Sequence, residues 1–177
     1  GWYGKGSSIS NTGIITDKAT SDGLNYSQKA IGIYAENDKI NNVLIGNIAN
    51  SGTITLGIGG AAIIAKGQSA ADRINLTNTG EISIAGDQSN QGSGITLENA
   101  DAVISNKINL AGENTTGIYG KNSAIELSAL EISGESVKKS LAVVAEDIEL
   151  TIKDGVKINL LNDNNIGIYG ENFTYRD

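Results

Sequence analysis

One six-residue phrase recurs along the chain, and no other feature constrains the fold as much. It reads Gly32-Ile33-Tyr34-Ala35-Glu36-Asn37, Gly117-Ile118-Tyr119-Gly120-Lys121-Asn122 and Gly167-Ile168-Tyr169-Gly170-Glu171-Asn172. Looser copies give starts at 1, 32, 62, 94, 117, 142 and 167, so the spacing runs from 23 to 32 residues. A period in that range marks a solenoid whose units bury their apolar face only by stacking.

The columns of the phrase carry the physics. The second is Trp2, Ile33, Ile63, Ile95, Ile118, Val143 and Ile168, and the fourth is Gly or Ala except for Leu97. In a strand these two positions share one face, and bulky beside small suits a narrow interior. The fifth is charged in every copy, alternating in sign until Glu146 and Glu171. Stacked coils would set opposite charges side by side, which disfavours slippage by one coil. The sixth is only Gly, Asn or Asp, which predicts a corner of positive φ.

A second phrase follows each first one: Asn11-Thr12-Gly13, Asn50-Ser51-Gly52 and Asn78-Thr79-Gly80, each leading into alternating residues. Asn-x-Gly at that place reads as a turn feeding a strand. Behind it Ile15, Ile54, Ile82, Ile108, Ile132 and Ile158 fill a single column. The reading is all-β: a right-handed parallel β-helix (β-solenoid) of about six coils with about three short strands each. It forms one segment over residues 1–177. A leucine-rich repeat shares the period but requires a Leu-rich consensus with one asparagine ladder per repeat, a pattern this reading does not find. A β-sandwich would not need six matched isoleucines, and calcium-binding nonapeptide repeats would need Gly-Gly-x-Gly-x-Asp.

Composition removes several functions. With no Cys and no His, the chain holds no Cys/His zinc site, thiol nucleophile, disulfide or Ser-His-Asp triad. No metal or cofactor is expected. The net charge of −7, with Arg73 and Arg176 the only arginines, argues against nucleic acid. No apolar run reaches the roughly 18 residues of a membrane span, so this segment is not expected to insert in a membrane. The chain has no Met and both ends fall within the repeat, so it is expected to be part of a longer protein.

The paired phrases, Gly-Ile-Tyr-Gly/Ala-Glu/Lys-Asn and Asn-Ser/Thr-Gly-x-Ile, resemble passenger domains of type V (Va) autotransporter adhesins, most of all the large fusobacterial ones. The resemblance covers the whole chain. It implies an exported rod on the bacterial surface, anchored by a C-terminal outer-membrane β-barrel translocator. It also implies a surface protein or glycan of host cells or other bacteria as partner. The motifs are structural, so the resemblance assigns no binding residue.

Surface candidates come from coil length and from the third column. Relative to the isoleucine column, extra residues fall at 17–29, 38–47, 68–73 and 86–93, and in a solenoid such surplus leaves as loops. The longest offers Asp17, Lys18, Asp22, Tyr26 and Lys29. In the third column Tyr34, Tyr119 and Tyr169 face outward and suit sugar rings or a protein partner. The alternative to a non-catalytic adhesin rod is a polysaccharide-degrading β-helix enzyme. That requires clustered carboxylates; Asp154 and Asp163 stand apart, and Asn162-Asp163-Asn164-Asn165 reads as a turn.

Overall fold

The computed structural model describes residues 5–17, 29–38, 40–41 and 44–176. Among these residues there are strands and turns but no helix. All strand pairs are parallel, as β-solenoid stacking demands. Each coil runs along three faces. The first face is a six-stranded sheet of Ile31–Glu36, Ala61–Lys66, Gly92–Glu98, Thr115–Lys121, Leu141–Glu146 and Ile166–Glu171. The second and third faces form one continuous eleven-stranded sheet. The second carries Lys5–Asn11, Leu44–Asn50, Ile74–Asn78, Glu149–Ile152 and Thr174–Arg176, and the third carries Ile14–Thr16, Thr53–Ile58, Ile82–Gly86 and Lys157–Leu160. In two coils the chain crosses from second to third face inside one strand, Ala100–Gly112 and Ala124–Gly134.

The isoleucine column is one unbroken stack. Ile15 pairs Ile54, Ile54 pairs Ile82, and the register continues through Ile108 and Ile132 to Ile158. The four inner members are fully buried and the two end members half-buried. The second column of the first phrase stacks likewise, from Ile33 through Ile63, Ile95, Ile118 and Val143 to Ile168. The Leu97 exception has a packing partner in volume. Its own coil places small Ala102 on the second face, where the next coil pairs Gly120 with Ile125.

Simple alternation would turn the first column outward, with the third and fifth. Instead Ala62 and Ile63 are both buried, as are Ala142 and Val143, so the alternation breaks there while the coils keep their register. The break aims the small residue at the isoleucine stack: a Cβ on Gly32 would lie 3.0 Å from Ile54 Cγ2 and 2.6 Å from the Ala62 carbonyl oxygen. That is why the column holds only Gly and Ala.

The Asn-x-Gly turns do more than turn. Asn11, Asn50 and Asn78 lie in register with their side chains inward, Asn50 and Asn78 buried. Asn11 Nδ2 donates to Asn50 Oδ1 at 2.7 Å, and Asn50 Nδ2 to Asn78 Oδ1 at 2.6 Å. Asn78 Nδ2 also donates to the Gly80 carbonyl at 3.0 Å. A three-rung asparagine ladder therefore exists, although the sequence reading found none. The signal was present, but Asn before Gly was read as turn chemistry alone. In the next coils the same column is Ile104 and Leu127, and the corner is made instead by positive φ at Asn106 and Ala129.

The sixth-column corner is corrected in part. Asn99, Asn122, Asp147 and Asn172 bend at φ between 47° and 51°, but Asn37 and Gly67 do not. Extra residues follow those two. Asn37 turns inward, donating to the Asp72 carbonyl at 3.0 Å and accepting from the Ile45 N–H at 2.6 Å. The expected surplus at 38–47 also ends early, because Leu44–Asn50 is strand.

Candidate binding surfaces

The first face carries three rows besides its inward columns. One runs Ile31, Ala61, Ser93, Thr116, Leu141 and Ile166; Thr116 in it is buried, as is Val144 in the next. Beside it runs Tyr34, Ile64, Thr96, Tyr119, Val144 and Tyr169, then Glu36, Lys66, Glu98, Lys121, Glu146 and Glu171. Ile31, Tyr34, Ile166 and Tyr169 are 51%, 47%, 44% and 47% exposed; all four stand on the first and last described strands of this face, each of which has one described neighbour. The row beginning at Ile31 escaped sequence reading because alternation with Ile33 would place it inside, and the alternation breaks between the two. No local residue type announces that break except the Gly/Ala column itself.

The tyrosines thus share a row but not a contact cluster. Val144 separates Tyr119 from Tyr169, and Ile64 and Thr96 separate Tyr34 from Tyr119. Tyr119 Oη donates to Glu146 Oε2 at 2.9 Å, and the Tyr34 hydroxyl donates to Glu36. Partial burial, the hydrogen bond to Glu146, and the charges of Glu146 and Glu98 push the Tyr119 phenol up to about 12. The hydrogen bond to Glu36 is the main cause raising that of Tyr34. The charged row lies in the expected register, but no salt bridge forms along it among the described residues. Carboxylates there hold tyrosine hydroxyls instead. The inter-coil ion pairs stand on the other two faces: Lys107–Glu131 at 3.8 Å, Lys153–Glu126 at 3.1 Å, Arg176–Glu149 at 3.0 Å, and Arg73 with Asp101.

In the longest insertion Asp17 does not project. Both its carboxylate oxygens lie 2.9 Å from the Gly57 N–H, which ties the insertion's start to the next coil. Lys18, Asp22 and Tyr26 lie outside the described residues. Lys29 is exposed at φ 72° and lines a shallow depression of about 390 Å³ with Ile31, Ser89 and Gln91. The backbone after Asp38 at Ile40 and Asn41, and the turn at 87–90, are held by their own aspartates. Asp38 accepts chiefly from the Asn41 side chain and Asp87 from the Ser89 N–H, which keeps both carboxyls below their ordinary value. The Asn162–Asn165 turn is present as expected, with positive φ at Asn162 and Asn164.

The second face holds an open groove of about 340 Å³ lined by Asp101, Glu126 and Glu149 among others. Each carboxylate is paired to a cation, with Arg73, Lys153 and Arg176 respectively. Among the described residues no three acidic side chains group closely enough to hold a metal ion.

The fold defines the class: a repeat protein of the parallel β-solenoid type. Comparison with protein families, curated proteins and solved structures returns no match to the chain.

Proposed function

We propose that this chain is a non-catalytic segment of an extracellular adhesin rod, of the type V autotransporter class its phrases resemble. The observation that supports the reading is the parallel pairing of each coil with the next through about six coils. A stack in which every coil pairs its neighbours is stiff along its axis, while its outward rows tolerate any residue that suits a partner. The partner is a protein or glycan of a host or bacterial surface. The first face and the corner around Lys29 are the surfaces offered to it. Latex beads coated with the chain should adhere to a panel of epithelial and bacterial cells, and Tyr34→Ala with Tyr169→Ala should lower adhesion. Beads that bind no better than albumin-coated ones would defeat the proposal.

A second reading, a polysaccharide-degrading enzyme, has the carboxylate-lined groove in its favour. Against it, each of these carboxylates is paired with a cation, Asp101 with Arg73, Glu126 with Lys153 and Glu149 with Arg176. Turnover of a polysaccharide panel, abolished by Glu126→Gln, would establish this reading over the first.

A further inference from the structure

Two adjacent coils in the middle of the first face depart from the apolar pattern of their neighbours. In the row beginning at Ile31 they carry Ser93 and Thr116, and in the tyrosine row Thr96 and Tyr119. The coil before places Ala61 and Ile64 at these positions, and the coil after places Leu141 and Val144. Packing between coils does not call for the change, because the inward column runs through it as Ile63, Ile95, Ile118 and Val143, all fully buried.

Ser93, Thr96, Thr116 and Tyr119, with Gln91 just before the strand, line a depression of about 330 Å³. Described coils are stacked on both sides of it. Thr116 is buried at its floor and Gln91 is exposed at its edge. Hydrogen bonds hold the lining in place. Ser93 Oγ and Thr96 Oγ1 lie 2.8 Å apart, Gln91 Nε2 donates to Thr116 Oγ1 at 3.1 Å, and Tyr119 Oη donates to Glu146 Oε2 at 2.9 Å. Capacity remains after these bonds. The Ser93–Thr96 bond uses one of two hydroxyl protons, and Gln91 keeps an N–H and its carbonyl oxygen. Tyr119, its proton committed to Glu146, offers lone pairs alone. Free donors and free acceptors thus stand together in an uncharged lining.

We propose that this depression binds a neutral sugar of a cell-surface glycan. The site rests on the reading of the first face as adhesive and narrows its partner to a carbohydrate. Sugar hydroxyls donate and accept at once, which matches the mixed lining, and the C–H side of a sugar ring suits the Tyr119 ring and the bordering Ile64. A protein partner fits less well. Protein interfaces set apolar residues at the centre and polar ones at the rim, and here that order is reversed. An acidic sugar finds no cation in the lining. The volume, at the low end of small-molecule sites, suits a terminal sugar rather than a long chain.

Methyl glycosides of glucose, galactose, mannose and N-acetylgalactosamine, titrated into the isotope-labelled chain, are the probes. At least one should shift the amide resonances of residues 91–96 and 116–119 with a Kd of about 1–10 mM. Thr96→Val, which removes a hydroxyl at nearly constant shape, and Gln91→Ala should each weaken binding by about fivefold. Thr55→Val, at an exposed hydroxyl on the third face, should leave it unchanged. The amide spectrum reports whether each variant keeps the fold. A chain that responds to none of these sugars at about 100 mM, or whose binding survives Thr96→Val with Gln91→Ala, overturns the inference. Cell adhesion keeps the two readings apart. Beads that adhere while no sugar binds leave the adhesin reading standing without this site. Sugar binding by a chain whose beads adhere to no cell leaves the site standing without that reading.

Discussion

Replacing Asn50 by Ala tests whether the asparagine ladder is a stabilising element or a by-product of the turn. Asn50 is the middle rung, 1% exposed, accepting from Asn11 and donating to Asn78. Truncation leaves Asn78 Oδ1 without that donor in a residue that is 0% exposed. A buried polar atom stripped of its partner costs about 1–3 kcal/mol. Asn11 Nδ2 also loses its acceptor, but Asn11 is half-buried and water replaces part of the bond, so its share falls at the low end. The vacated amide volume adds a cavity cost. The total is about 2–5 kcal/mol, which for a chain of this length lowers Tm by roughly 5–15 °C. Thermal unfolding followed by circular dichroism measures this, with Asn47→Ala, an exposed residue of the same strand, as control. A second variant separates the ladder from packing: replacing Asn11, Asn50 and Asn78 together by Ile should cost less than three times the single Asn50→Ile, because no unpaired rung remains. A Tm for Asn50→Ala within about 2 °C of the control would refute the reasoning.

Three further outcomes follow from the packing. Ile132→Ala, in the fully buried middle of the isoleucine stack, should cost about 2–5 kcal/mol, and Ile158→Ala, half-buried at its end, distinctly less; equal urea midpoint shifts would contradict the stack. Gly80→Ala drives a Cβ into the Gly52 carbonyl and within 2.7 Å of Asn50 Nδ2, so it should destabilise by about 1–3 kcal/mol, and a neutral effect on the melt would count against the close coil approach. The Tyr119 phenol is raised on folding, so its contribution is complete below the ordinary phenol value of about 10 and is lost as pH climbs from there to about 12. Tm should therefore fall more steeply over that window in the native chain than in Tyr119→Phe.

Much of this architecture was open to inspection in the residues alone. Repetition exposes columns, and columns expose which positions share a buried face, because every coil poses the same packing problem. The isoleucine stack, the parallel coils and the outward tyrosine row follow from that. So does the register of the charged row, although the ion pairs formed elsewhere. They stand on the other two faces, as between Lys153 and Glu126, while Glu146 accepts from Tyr119.

Tertiary structure decided what column patterns leave degenerate. Asn before Gly satisfies a turn whether its amide faces water or the interior; only the stacking of three such turns makes the inward ladder the lower-energy choice. A break in alternation changes the side on which the earlier residues of its strand lie, so Ile31 reads as core by alternation and stands on the surface in the fold. The candidate site depends on that reversal. The residues of one strand determine an alternation, but which of its two faces meets water is settled by the neighbouring coils against which the backbone must pack.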